Sequence, residues 1–487
     1  MARPGVSVSE AVLATPVTAA PPTSAAGALV APLPAGPNTP TLVSSWYQFT
    51  RVFGGLTKSN LATFAANQFF RAGGRELYVS RVVKTDAVKA EVTLLDGSDD
   101  YLTFTAKSEG TWGNNLRIRI TKNIADLYDV EVLQEAGVAA DYTDDTVLET
   151  YYNLDLATVG SQEVVDIFAL RSQFIDVAWP ATLTGLNVPT TFTVLPLVGG
   201  TDGGALAEYD YTAALASLAQ VNRTFVIFSP GAVDTDTVTA LVAWAETNKS
   251  FLVLDVAPTT DVAGAVTYAD GVGPTTYAAV YYPNVWVADT TSRSRDALVL
   301  IPPSGGVAGL YLNTDATSGV WKSPAGLQSS LSGVVALERN LSAADLDDLN
   351  NDSSPVNAVR FVAGSGAVVM GARTLDQRAS TRYINIRRTL LFLSREMEGR
   401  CEFALFRNND ATLWNQLTVT LQAFLNGVWQ SGGLRGQTAP QAYYVKIDRE
   451  NNTPTDVANG VVNIEVGVAL QYPAEFVKIK LTQQTNA

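Results

Sequence analysis

The chain contains no histidine and a single cysteine, Cys401. Without imidazole there is no Ser-His-Asp or Cys-His pair, no imidazole zinc site and no side chain that ordinarily titrates near neutrality. A lone cysteine cannot close an intramolecular disulfide, which fits folding in a reducing cytosol. Its aliphatic neighbours favour a buried, inert thiol over a reactive one. Positive charge is scarce as well: 33 Lys and Arg stand against 47 Asp and Glu, a net −14. That balance argues against coating nucleic acid, which needs a basic stripe, and against adhesion to anionic membranes. No apolar run reaches the roughly 18 residues of a spanning helix, and Met1-Ala2-Arg3-Pro4-Gly5 does not open a secretory signal.

What the chain does have is core material. Hydrophobic residues make up 47% of its 487 positions and charged ones 16%, so global disorder is excluded. The length alone points to about three domains. Residues 1–25 read as an extended arm: Val6, Ser7 and Val8 alternate with period two, while Pro4, Pro16, Pro21 and Pro22 discourage helix. A frayed terminus is one reading of that arm, and a strand donated to another subunit is the other. Residues 26–88 predict strand, helix, strand. Gly27–Ala31 ends at Pro32, Asn60 caps a helix carrying Leu61, Phe64, Ala65 and Phe69, and Glu76–Val83 follows.

Residues 89–200 turn β-rich, with short alternating strands at Tyr101–Ala106, Leu116–Thr121, Tyr128–Leu133 and Phe192–Leu197. The Gly199–Gly204 cluster reads as a boundary, and poorly as a phosphate cradle, because no Lys-Ser/Thr pair follows it. Residues 201–370 look α/β, with strands at Phe225–Ser229, Phe251–Val256, Ala278–Tyr282 and Val285–Ala288 and a crossover helix at Thr235–Asn248. No GxGxxG opens that helix. Gly364-Ser365-Gly366 reads as a turn, and Asp345–Asp352 as a solvated helix end that lacks the glycine and closing glutamate of a calcium loop.

Residues 371–474 are the best patterned. One helix is expected over Thr389–Glu398, with Leu390, Leu393, Ser394 and Met397 on one face. Asp410 caps a second that presents Leu413, Trp414, Leu417, Leu421, Phe424 and Leu425 and stops at Gly427. Tyr443–Ile447 and Val461–Val466 are predicted strands. The segment 475–487 holds one more: Phe476, Lys478 and Lys480 point one way, and Val477, Ile479 and Leu481 the other. A clean alternating strand so near the end must pair with something, or it is an aggregation edge.

Charge inverts locally in this region. Between Gly371 and Asp410 lie eight arginines against five acids. Arg378, Arg382, Arg387, Arg388 and Arg395 are candidates to face a partner protein. The plainer reading pairs most of them with the chain's own acids.

The order of short motifs resembles the contractile tail sheath protein family of myophages, phage-tail-like bacteriocins and related injection systems. The resemblance runs from Pro4-Gly5-Val6 with Glu10, through Thr41–Trp46, Phe53-Gly54-Gly55, Gln68-Phe69-Phe70 and Gly73-Gly74-Arg75. It continues with Trp112-Gly113-Asn114, Gly199–Gly203, Pro303-Ser304-Gly305 with Gly309, and Val320–Ala325. The densest set is C-terminal: Gly371–Leu375, Tyr383–Arg388, Phe406–Asp410 with Leu413-Trp414, Ala442–Lys446, Asn451-Asn452 and Pro473–Val477. The stretch 120–195 matches least.

The resemblance implies an α/β multidomain chain. Its inner α+β domain would be built from both chain ends (26–88 and 371–474), with a β-rich insertion at 89–200 and an α/β insertion at 201–370. It implies a structural subunit, without cofactor, metal or catalytic residues, whose partners are itself in stacked hexameric rings, a tail tube, and baseplate and terminator proteins. Nucleic acid and membrane insertion are not implied. Its place would be the virion tail, assembled in the host bacterial cytoplasm, where contraction drives the tube through a cell envelope. The terminal strands Val6–Val8 and Phe476–Leu481 would be donated to neighbours. The competing readings are a histidine-independent enzyme or nucleotide binder built on 201–370, or another virion structural protein.

Overall fold

The computed structural model describes residues 25–475, apart from 124–126, 136–144, 184–185, 190–193, 295, 352 and 379. The two expected donor strands, Val6–Val8 and Phe476–Leu481, lie outside the described residues.

One eight-stranded sheet organises the rest. Across it run Gly366–Val369, Val356–Val362, Ala278–Tyr282, Phe251–Asp255, Thr224–Phe228, Ala25–Pro32, Leu77–Val82 and Thr41–Val43. The six inner strands are parallel, and each edge strand is antiparallel to its neighbour. Parallel strands require crossovers, and helices laid on both faces bury the strands twice, which is why they read as unbroken apolar runs. Alternate side chains serve opposite layers. Ala28, Val30, Phe225, Ile227, Leu252 and Leu254 pack under the helices Glu208–Leu218, Thr235–Thr247 and Val262–Val272. Leu29, Ala31, Val226, Phe228 and Val253 pack under Leu61–Arg71 and Ser304–Ser318. The two helices of this second layer nearly touch backbones: a Cβ on Gly305 would sit 2.2 Å from the Ala65 oxygen, and one on Gly309 2.2 Å from the Phe69 oxygen.

This sheet corrects the expected partition. The strands of 26–88 share a hydrogen-bonded sheet with those of 201–370, not with 371–474. Ala25–Pro32 is almost wholly buried and needs parallel partners on both sides, and Thr224–Phe228 supplies one of them.

Between the third and fourth described strands of this sheet in chain order a β-rich body is inserted. It packs a three-stranded sheet (Glu91–Asp96, Asp99–Ala106, Ile175–Ala178) against a four-stranded one (Leu195–Pro196, Leu116–Lys122, Tyr128–Gln134, Thr146–Leu154) around Tyr101, Phe104, Ile118, Val132 and Phe168. The strand expected at Phe192–Leu197 is reduced to Leu195–Pro196 among the described residues. The sequence reading missed the helix Gln162–Arg171 and the strand Thr146–Leu154, whose period two register shifts break. The body hangs on a two-chain neck, where Val88 and Thr201 exchange backbone hydrogen bonds of 3.1 and 3.0 Å.

Residues beyond 380 form a smaller module of the helices Ile384–Cys401 and Ala411–Gln430 and the two-stranded sheet Tyr443–Lys446 with Glu465–Val468. Asp410 caps the second helix as expected, its carboxylate accepting from the Thr412 and Leu413 amides, and Leu413, Leu417, Leu421 and Leu425 are buried. Gly427 does not stop it: the helix runs on to Gln430, and the turn is made at Gly432, where φ is 81°. The first helix begins at Ile384 instead of Thr389, and the last described strand at Glu465 instead of Val461.

Candidate functional site

The first described residue lies in the central sheet, and the last is bonded to a motif that crosses it. At the amino end, the chain enters the described structure at Ala25, the first residue of an interior strand. At the carboxyl end it leaves at Glu475, whose surroundings are built from the Gly371–Leu375 motif. That motif crosses the starts of two strands: Met370 N donates to Ala358 O and Leu375 N to Ala278 O. Gly371 is obligatory there, since a Cβ would lie 2.7 Å from the Asn357 Cα.

Asn357, buried within its strand, accepts from Arg373 N (2.8 Å) and donates to the oxygens of Arg373 (2.8 Å) and Val280 (3.1 Å). The Arg373 backbone is thus fixed to the sheet. Its guanidinium, 5% exposed, forks onto Glu475, with Nε to Oε1 at 2.8 Å and Nη2 to Oε2 at 3.0 Å. Nη1 donates to Asn350 O at 3.1 Å, and the Tyr383 hydroxyl adds a 2.8 Å bond to Glu475 Oε2. Burial alone would raise the Glu475 carboxyl, but the Arg373 and Tyr383 hydrogen bonds outweigh it and hold it below the usual range. Two motifs read as separate signposts, Gly371–Leu375 and Pro473–Val477, therefore meet through one ion pair.

The five candidate arginines do not share a face. Arg388 is 3% exposed and locked on Asp315 of the Ser304–Ser318 helix, Nη1 to Oδ1 at 2.9 Å, with its guanidinium 4.8 Å above the Tyr311 ring. It is a core residue, which corrects its candidacy for a partner surface. An aspartate in an otherwise buried helix was the signal for this pair. Arg387 stacks 3.9 Å over the Tyr277 ring, and Arg395 reaches Asn222 O and Oδ1, each at 2.7 Å. Arg382 donates to Gln377 O at 3.4 Å. Arg378 is the exposed one of the five, its Nε 3.0 Å from Asp376 Oδ2. Cys401 is half-buried, and burial raises its thiol pKa.

The two-stranded sheet pairs Tyr443 with Val468 through Lys446 with Glu465, and no further strand pairs with either among the described residues. Its connection is pinned by the Asn451-Asn452 motif. Asn452 Nδ2 donates to Asn463 O (2.9 Å), and Asn463 N donates to Asn452 Oδ1 (2.6 Å). Tyr444 lies across Gly467, and its hydroxyl donates to Glu465 at 2.7 Å. Elsewhere in the module Leu405, Phe406, Val419 and Tyr472 are exposed.

Ligands of doubly wound sheets sit beyond the carboxyl ends of the strands. Here Ser304 fills that position: Asp255, at the end of its strand, accepts from Ser304 N at 2.9 Å and from its hydroxyl. Desolvation pushes the Asp255 carboxyl up to about 7. The glycines at 305 and 309 serve helix contact, and the Gly199–Gly204 cluster lies at the neck, with Gly204 N on Asp86 and Thr111 N on Asp202. Among the described residues no group of three or more Cys, Asp or Glu is placed to hold a metal, and no helix is long and apolar enough to cross a membrane.

Residues 204–375 match the phage tail sheath protein central domain. The tail sheath protein of Vibrio phage KVP40 is 32% identical over 136 residues, 28% of this chain and 20% of that protein. A putative prophage major tail sheath protein of Pseudomonas aeruginosa is 28% identical over 244 residues, 49% of this chain and 58% of that one. The chain thus spans less than two thirds of the length of these curated relatives. The helical sheath of the anti-feeding prophage in its contracted state superposes with a TM-score of 0.60 at 21% identity, over 99% of this chain and 100% of that one. The fold is that of a sheath subunit. Residues 204–375 thus match the central domain of the phage tail sheath family, and the fold of the chain is shared with contractile sheath proteins.

Proposed function

We propose that this chain is the repeating structural subunit of a contractile tail sheath. Subunits stack as hexameric rings around a tail tube, between baseplate and terminator proteins, and contraction drives the tube through the host envelope for genome delivery. The place of action is the virion tail, after assembly in the bacterial cytoplasm. The observation that carries this reading is the sheet Tyr443–Lys446 with Glu465–Val468, which leaves its outer edges without a further strand among the described residues. A two-stranded sheet alone is marginal in water, and an arriving strand completes it. The period-two segments at Val6–Val8 and Phe476–Leu481 are the donors, and each netted backbone hydrogen bond contributes about 1 kcal/mol. Contraction then needs no nucleotide. Two packings of the same subunits differ by a few kcal/mol, and strand exchange keeps neighbours joined while their bodies rotate.

The test is deletion of residues 476–487 followed by electron microscopy and sedimentation. Folded monomers that form no cylinders, alone or with tube and baseplate, are expected. Normal striated cylinders from the truncated chain would refute strand donation.

A further inference from the structure

We propose that the Arg373–Glu475 pair is a mechanical shunt, which carries tension on the C-terminal segment straight into the central sheet and keeps the C-terminal module out of the force path. The proposal rests on the donated-strand reading above and adds to it a positioning residue, Arg373.

The two partners are 102 residues apart in the chain, and almost the whole module lies between them, so their ion pair closes it into a loop. A pull on the chain beyond Glu475 has a long and a short route back to the sheet, besides a side path from Gln471 O through the Asn385 amide to Trp321 O. One runs through residues 374–474, across a small helical cluster and a sheet of two strands. The other crosses four groups: the Glu475 carboxylate, the Arg373 fork, the Arg373 backbone and the Asn357 side chain.

The short route joins a charge-assisted fork to a pair of neutral bonds on one residue's backbone. The fork is bidentate and charge-assisted, and Arg373 is nearly buried, so salt screens it weakly. Tyr383, at the start of the Ile384–Cys401 helix, adds a third bond to the same carboxylate. Asn357 makes two bonds to the Arg373 backbone and a third to Val280 of the neighbouring strand. Tension arriving there is shared by a strand paired on both sides. The module must hold its own open sheet in register to receive a neighbour's strand at the moment its own tail is pulled. A shunt at the root of the tail separates those two duties.

The experiment pulls the full chain from its two ends at constant force and records the waiting time before the extension step that corresponds to residues 374–474. Glu475→Gln and Arg373→Lys, which remove the charge or the fork, should each shorten that time about tenfold or more, with the steps of the central sheet unchanged. Tyr383→Phe, a milder variant that keeps the ion pair, should shorten it less. Glu475 is part-exposed, so its glutamine variant is expected to keep the native circular dichroism. An unchanged waiting time in folded Glu475→Gln overturns the shunt. The truncation at 476 separates this result from the underlying reading. Lost assembly with an unchanged waiting time sinks the shunt alone, and normal assembly of the truncated chain sinks strand donation.

Discussion

The two sheets that matter in this molecule are opposites. The eight-stranded sheet is buried on both faces, its inner strands are paired on both sides, and its glycines sit where backbones almost collide. The two-stranded sheet of the C-terminal module is half-exposed, and its one glycine faces a movable tyrosine ring. The first is finished within one subunit. The second leaves its outer edges without a further strand among the described residues, the arrangement expected of a protein whose fold and polymer share hydrogen bonds.

That contrast can be broken where the two regions join. Arg388→Ala leaves Asp315 charged and buried between the central layer and the module. It should cost about 3–5 kcal/mol in urea unfolding, the largest effect expected here. Within the central layer, Gly305→Ala drives a methyl to 2.2 Å from the Ala65 oxygen, a backbone atom that cannot turn aside. A loss of about 1–3 kcal/mol and a lower Tm are expected.

A pH scan sharpens the same point. The Asp255 carboxyl is raised to about 7 in the fold by desolvation, against about 3.9 unfolded. The folded state therefore binds its proton more tightly, so stability is greatest below about 4 for this group and falls as pH rises through 7. Asp255→Asn should flatten that part of the stability profile, and an unchanged slope would place the titration elsewhere. The smallest effect belongs to the small sheet. Gly467→Ala meets the Tyr444 ring first, which can swing into solvent, and monomer stability should move by no more than about 0.5 kcal/mol.

Much of the central fold was legible from local signals. Asn60 caps its helix through the Ala62 amide, Asp410 does so through Thr412 and Leu413, and the apolar runs at 225–228 and 251–255 are the buried parallel strands they resemble. Partnership across long separations was not legible. Nothing local in Ala25–Pro32 says that it lies beside Thr224–Phe228, so the first unit was assigned to the wrong layer. The same blindness hid the root of the tail. Arg373 and Glu475 each stand inside a motif, but an ion pair between them leaves no periodicity to read. Arg388 looked like surface charge because its buried partner, Asp315, stands 73 residues earlier.

The neck at Val88 and Thr201 has a consequence for the history of such chains. The two ends of the inserted body are hydrogen-bonded to each other, and Arg81 on the sheet side donates to the carbonyls of Leu33, Gly36 and Glu109 to seat the junction. Beyond that point the body meets the sheet side at exposed polar contacts, such as Arg51 Nη2 to Gln173 Oε1 at 3.5 Å and Asn38 Nδ2 to Glu109 Oε2 at 2.7 Å. It can be lengthened, exchanged or lost through two neighbouring peptide connections, and the strands on either side of the graft need not move.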